Sequence, residues 1–542
     1  MVWLLNDVYD VEHRAYFMSE KKMELTPLKI RSHGASSIMH YDERYTPFIE
    51  MTGLLPFVQL VSRSTPNLNA AAVTALIDRW RPETHSFHLR TGEMTVTLQD
   101  VSMITALPIE GKPLCMSTDS EGWRHQMEAL IGMSPQEPEV EDGGKKDRVP
   151  VGATFTWIAA NFAHCPEDAD DEVIQRYARV YMWYVISRIF AYGTGKNAPW
   201  MWLKALTVLD NKFSWGSAAL AYLYRQLDDA CRRTTKDGGV GGCMLLLSWD
   251  LVSEVASEVN LLYKQYTNEM DSLTPEQVEW EPYGVGTNFG DAHTFELNPL
   301  CVQERHLWLM RCPLICNWAV EWHLPHRVLR QFGYFQPHPP EWVDTDTQLH
   351  RLDRRRQRKI KDWQKHHKSY VLMFEQSVQA TSSIQRTQYR QHCALAFNNY
   401  LRWFQESTRV EICPPAYEED ILEEPTEYDE LAQGGYSKLI REGYQTSFAP
   451  VLNFVAADDM ALKAFQRSAY MLKPRKEFKR YSPDDYAKGK NPVAGGSRLS
   501  RMRSRDDEVE DDDDDDNESD DPEQFVVARR KKLVSKRGRG PK

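Results

Sequence analysis

Several groups of residues have the types and spacing from which chemistry is commonly built. Gly193-Thr194-Gly195-Lys196 places a lysine after glycine, as a phosphate loop does. The leading glycine of that motif is missing, since Phe190 stands in its place, and Asn197 replaces the Ser or Thr that would hold magnesium. Gly238-Gly239-Val240-Gly241-Gly242 lacks the third spacing of a dinucleotide loop and reads as a flexible lead into Cys243-Met244-Leu245-Leu246-Leu247. Spacing is what aims backbone amides at a phosphate, so neither run predicts a nucleotide site.

Cys301, His306, Cys312 and Cys316 are close in sequence, and zinc takes four such ligands when they converge tetrahedrally. Their spacings are irregular and Pro313 interrupts them; the alternative is a set of buried thiols. His323, His326, His366 and His367 offer bases, yet no Gly-x-Ser-x-Gly elbow supplies a nucleophile. Asp168, Asp170, Asp171, Asp344 and Asp346 have the chemistry to bind magnesium, but their polar surroundings predict solvated loops. These residues predict no catalytic, cofactor or metal site.

A cationic stripe is the more informative pattern. Arg351, Arg354, Arg355 and Arg358 recur at helical spacing, and Lys359, Lys361, Lys365 and Lys368 extend them. Leu349, Leu352, Ile360 and Trp363 would then face a core. Such a stripe can lie along the phosphates of DNA or RNA. It can equally be a solvated face paired with Asp353 and Asp362, or a contact for an acidic protein.

The elements that would carry these residues are mostly helical. Asn67 is expected to cap a helix through Leu68, Ala72, Leu76 and Trp80, ended by Pro82. Ser86–Leu89 and Met94–Thr97 read as a β-hairpin around Arg90-Thr91-Gly92-Glu93. Thr97 and Asp100 have capping-box spacing for a helix through Val101 and Ile104. Helical periodicity is predicted over 172–192, 214–231, 302–310, 349–375 and 384–407, and a short helix near 456–472. Residues 134–150 and 266–300 read as loops. Trp200, Trp202, Trp215 and Trp249 suggest one aromatic-rich core. The expected fold class is therefore mainly α with a small β-hairpin. Residues 1–40 form an N-terminal extension, 41–410 one large domain, 411–500 a weakly ordered linker and 501–542 a tail.

The chain has 542 residues, a net charge of −12, 42% hydrophobic and 11% aromatic residues. That composition excludes a collagen, a coiled coil or a disulfide miniprotein. No apolar run is long enough to span a membrane, and the apolar start Met1–Leu5 is too short for a signal peptide. Nine scattered cysteines fit reduced thiols of cytosol or nucleus. Charge is concentrated at the end: residues 506–523 carry 14 acidic side chains, and residues 529–542 carry eight Lys or Arg. Removing both leaves −6 for residues 1–505. Like charges at that density predict disorder. Arg529, Arg530, Lys531, Lys532, Lys536 and Arg537 form a basic cluster of the kind read by nuclear import receptors, so the expected location is the nucleus.

One segment carries more than local structure. The run from Leu68 through Asp78-Arg79-Trp80-Arg81-Pro82-Glu83-Thr84-His85-Ser86-Phe87-His88-Leu89, continued by Gly92-Glu93-Met94-Thr95-Val96-Thr97-Leu98-Gln99-Asp100, resembles the plant mobile domain family, also labelled aminotransferase-like. Gly53–Phe57, Gly241–Leu247, His326–Gly333 and Asp362-Trp363 with His367 and Tyr370 match further, in order, over about 41–375. The family includes maintenance-of-meristems-like proteins and transposon-carried relatives. After Cys243 the chain is shorter than the family pattern, which leaves the packing near 245–265 open.

The resemblance implies a non-enzymatic nuclear interaction module. Its implied roles are transposon silencing, genome stability and gene expression for meristem development. Implied partners are nuclear proteins, a serine/threonine phosphatase-like protein among them, with no membrane, small-molecule substrate or cofactor. The alternative is a transposon-derived nucleic-acid-binding module using the basic helix at 351–368. The chain carries none of the phosphatase metal motifs (Gly-Asp-x-His-Gly, Gly-Asn-His-Glu), and no lysine with the partners of a Schiff-base cofactor is identifiable, so neither enzymatic label is supported by its residues.

Overall fold

Asn69 caps the helix that leads to Trp80, because its side-chain oxygen accepts hydrogen bonds from the amides of Ala71 and Ala72 and so opens α1 (Ala70–Ile77). The computed structural model describes residues 4–30, 39–63, 68–136, 151–190, 197–235, 238–247, 259–283, 299–339, 349, 360–383 and 389–412. Asn67, the cap expected from sequence, lies outside them. The helix also stops before Trp80, which the sequence reading had placed on it. Trp80 and Arg81 instead form β1 (Trp80–Arg81) and pair with β2 (Ser86–Leu89), Trp80 opposite Phe87.

β2 turns through Arg90 and Thr91 into β3 (Gly92–Met94), with Phe87 opposite Met94 and Leu89 opposite Gly92. The expected hairpin is present, but its return strand begins at Gly92 rather than Met94, so the turn is two residues long. Thr97 and Asp100 close the expected capping box reciprocally and open α2 (Leu98–Thr105).

Two long helices follow. In α3 (Asp171–Ile189), Asp170 accepts from the Val173 amide, which gives that aspartate a capping role. In α4 (Trp215–Ala230) nearly every side chain is buried, so it is the central helix of the fold. Gly216 permits that position: a Cβ there would lie 2.8 Å from Ile109 and 2.9 Å from Val101. The glycine run does not behave as a flexible lead, since Gly239–Val240 pairs in parallel with Lys29–Ile30.

α5 (Val259–Asp271) packs on α1, so the first residues of the stretch expected to be loop are helical. The expected helix over 302–310 is reduced to a five-residue helix at Pro299–Gln303 and a single 3-10 turn at Arg305–Leu307. A second hairpin, unforeseen in the sequence, joins β4 (Cys312–Cys316) to β5 (Ala319–His323) and packs against α4. α6 (Lys368–Ser383) lies on β4, and α7 (Ala394–Ser407) contacts β3.

The fold is mainly α with a few small sheets. One large apolar cluster runs from Ala15 and Leu28 through Trp80, Trp183, Trp202 and Trp215 to Phe374. Residues of the expected N-terminal extension thus belong to the same core. Among the described residues no helix is long and apolar enough to cross a membrane. The chain divides into units Met1–Asn491 and Pro492–Lys542, and every described residue belongs to the first.

Candidate functional site

The motif around Trp80–Leu89 builds a buried polar cluster. Pairing of β1 with β2 forces Pro82–His85 into a tight connection, and His85 takes a left-handed φ of 49° there. Its ring stacks on Tyr224 at 5.1 Å and faces Trp80 at 6.2 Å. Nδ1 lies 3.1 Å from the Trp322 carbonyl oxygen. Nε2 lies 3.2 Å from Glu321 Oε2 and 3.6 Å from Asp228 Oδ2. The other carboxylate oxygens are engaged as well. Trp80 Nε1 donates to Asp228 Oδ1 at 2.6 Å, and Arg225 Nε donates to Glu321 Oε1 at 2.5 Å.

Among the described residues His85, Asp228 and Glu321 are the group of three whose ligand atoms converge closely enough to hold a metal ion. The charges favour a proton in that position. Burial by itself would lower the His85 pKa, but hydrogen bonding and attraction to Asp228 and Glu321 raise it to about 9. Imidazolium and guanidinium then balance two carboxylates. A divalent ion beside a neutral imidazole would leave an uncompensated positive charge in the core.

The surrounding charges are paired in the same way. Arg327 grips Glu93, which also accepts from Ser86 Oγ at 2.9 Å. Arg14 meets Asp78 at 2.6 Å, Arg79 meets Asp271 at 2.6 Å, and Arg81 meets Asp10 at 3.0 Å. Tyr263 completes the Asp78 group through its hydroxyl. Glu83 accepts from the Asn6 amide at 3.2 Å, and His88 bonds Thr84 and Thr408. Glu83 and His85 therefore do more than cap a turn: they link distant segments, while Thr84 bonds locally to Ser86 and His88. Burial holds His13 and His88 well below the ordinary histidine range, with neighbouring arginines adding to the effect.

The other sequence candidates are dispersed. Cys312 and Cys316 sit at the two ends of β4, both buried, and desolvation raises both thiols. Cys301 is half-buried on the separate short helix Pro299–Gln303. His323 is buried against the Met310 carbonyl oxygen at 2.7 Å, and desolvation lowers its pKa to about 4. Arg351, Arg354, Arg355 and Arg358, the basic cluster Arg529–Arg537, the Gly193–Lys196 run, Asp344 and Asp346, Trp249, the segment 248–258 and the residues beyond Ile412 lie outside the described residues.

Among the described residues, one concave feature is a cleft of about 460 Å³ that sequence reading missed. It lies between the start of α2, the residues leading into β4, the turn at Leu329–Tyr334 and one face of α6. Gly333, at φ 77°, makes that turn. Backbone bonds from Phe335 to Arg390 and from His392 to Gly333 then hold Tyr389 against Tyr334. No local pattern announces this cleft, because its walls come from six separated segments.

A family model described as "Plant mobile domain" matches residues 56–249 and 240–405. In Arabidopsis thaliana, a "Serine/threonine-protein phosphatase 7 long form homolog" is 31% identical over 64% of this chain and 27% of its own length. "Protein MAIN-LIKE 1" is 31% identical over 53% of this chain and 58% of its own, and "Protein MAINTENANCE OF MERISTEMS" is 30% identical over 51% and 59%. The chain thus spans less than two thirds of each of these relatives. No solved structure matches. With ordered matches over both the Trp80–Leu89 cluster and the later hairpin, the chain belongs to the plant mobile domain family.

Proposed function

We propose that the chain is a non-enzymatic nuclear interaction module acting in transposon silencing, genome stability and gene expression for meristem development. The observation that carries this reading is the state of its polar core. His85, Asp228, Glu321, Arg225, Glu93 and Arg327 are buried and engaged in ion pairs and hydrogen bonds within the core, so their charges are held inside the fold and do not face a substrate. Recognition then falls to the surface. Relatives named for meristem maintenance support the developmental role, and the phosphatase-named relative supports a phosphatase-like protein among the partners.

The basic cluster Arg529–Arg537 supplies nuclear import in this reading. Affinity purification from plant nuclei, with and without nuclease, tests it: partners retained after nuclease are protein-held. A second reading, direct contact with DNA or RNA through Arg351–Arg358, is favoured by the arginines at the mouth of the cleft, Arg305 and Arg311.

A further inference from the structure

We propose that the cleft beside α6 binds a nucleotide, stacking an unpaired base on its tyrosines and holding the phosphate on its arginines. The inference rests on the reading of the chain as a macromolecule-binding module and names one ligand of it. Its volume of about 460 Å³ lies in the range of small-ligand sites.

Three features of the lining point to this chemistry. First, it is cationic: Arg305 and Arg311 are exposed at its wall, and the one carboxylate among the described residues that line it, Glu281, is paired with Arg330 at 2.7 Å. Arg311 has no ion pair among the described residues, so its guanidinium is available to an anion. Second, the wall is aromatic. Tyr334 and Tyr389 stack at 5.3 Å with an interplanar angle of 28°, and Tyr389 presents its ring to solvent. Every base has a face that can continue such a stack. Third, the indole Nε1 of Trp308, another lining residue, is buried without a hydrogen-bond partner among the described residues. A buried donor left unmade is costly, and a phosphate or base oxygen would satisfy it.

An acidic peptide would use the arginines but not the stacked tyrosines, and a duplex keeps its bases out of reach. The nucleotide uses all three features together.

The test is fluorescence anisotropy with the full chain and labelled ten-residue single strands of DNA and RNA. The duplex of the same sequence, free AMP and UMP, and an acidic peptide serve as competitors. Single-strand binding is expected, with the duplex at least tenfold weaker. Arg311→Ala and Tyr389→Ala are each expected to weaken binding roughly tenfold. Both residues are exposed, so melting temperatures should not change. Trp308→Phe keeps the ring, removes the donor and is expected to weaken binding by a smaller factor. Strand affinity well above that of AMP or UMP assigns the cleft to polynucleotide; comparable affinity assigns it to free nucleotide. The inference is overturned by no binding of any nucleotide, by equal affinity for duplex, by competition from the acidic peptide alone, or by affinities that neither Arg311→Ala nor Tyr389→Ala alters. Protein partners retained after nuclease would leave the interaction-module reading standing in that event.

Discussion

Arg327 grips Glu93 with both arms of its guanidinium, Nε 2.7 Å from Oε2 and Nη2 2.8 Å from Oε1, in a buried pair whose members are 234 residues apart in the chain. The pair ties the residues after β5 to the first hairpin. Two charges taken out of water gain little net stability when paired, but removing one strands the other. Glu93→Ala or Arg327→Ala should each destabilise the fold by about 3–5 kcal/mol. The double change Glu93→Leu with Arg327→Met should recover most of that loss. Chemical denaturation of the four proteins measures both effects; equal losses in single and double variants would contradict the pairing.

His85 predicts an alkaline weakening of the fold. Its imidazole keeps its proton to about pH 9 in the folded state, against an ordinary value of 6.5. Between those values the folded chain binds more protons than the unfolded one, so stability falls as pH rises. Below about 6.5 this contribution is fully present. His323, His326 and His367 act in the opposite sense: burial lowers each to about 4, so their contribution is lost as pH falls from 6.5 toward 4. Stability should therefore be greatest near neutral pH. The His85→Gln variant should show a shallower decline than wild type between pH 6.5 and 9, and identical slopes would refute the assignment.

The same cluster predicts metal independence. Because imidazolium and the Arg225 guanidinium already balance Asp228 and Glu321, the purified chain should hold no stoichiometric zinc, manganese or iron, and a chelator should leave its melting temperature unchanged. Elemental analysis and thermal unfolding with and without chelator check this. A stoichiometric ion lost together with stability in the His85→Gln variant would show that the trio is a metal centre.

Gly216 lets α4 cross the Val101–Ile109 region closely. Adding one methyl there must displace Ile109, Val101 or the Leu107 carbonyl, 3.0 Å away. Overpacking of this kind costs about 1–3 kcal/mol. Gly216→Ala should lower stability by that amount in denaturant titration despite the better helix propensity of alanine. At the capping box, Thr97→Ala should cost about 1 kcal/mol.

What the sequence revealed was local. The Thr97–Asp100 box spans four residues, and the first hairpin closes over two, so both could be read before any tertiary contact was known. The ends of α1 could not. Trp80 has helical spacing from Leu76, yet its pairing with Phe87 and its indole bond to Asp228, 148 residues away, override that periodicity. β4 went unseen because all five of its residues are buried, leaving none of the alternation that marks a half-exposed strand. The motif Asp78-Arg79-Trp80-Arg81 did carry a signal, charges embedded among apolar residues, but their partners Arg14, Asp271 and Asp10 lie far away in the chain. The cleft is equally non-local, since Tyr334 meets Tyr389 through the Phe335–Arg390 backbone bond.

The basic end makes a separate prediction. Removing residues 529–542 deletes eight positive charges and should leave the protein in the cytoplasm of plant cells, seen by fluorescence imaging of the tagged chain. Unchanged nuclear accumulation would count against import through this cluster.

The most direct test of the central claim, that the charged core holds the fold while the surface does the work, is capture of the full chain from plant nuclei before and after nuclease, beside a variant carrying Arg305→Glu and Arg311→Glu. The account predicts a reproducible set of nuclear macromolecules on the wild-type chain, reduced on the surface variant although that variant remains folded. Recovery of the wild-type chain alone, or an unaltered set on the variant, would contradict it.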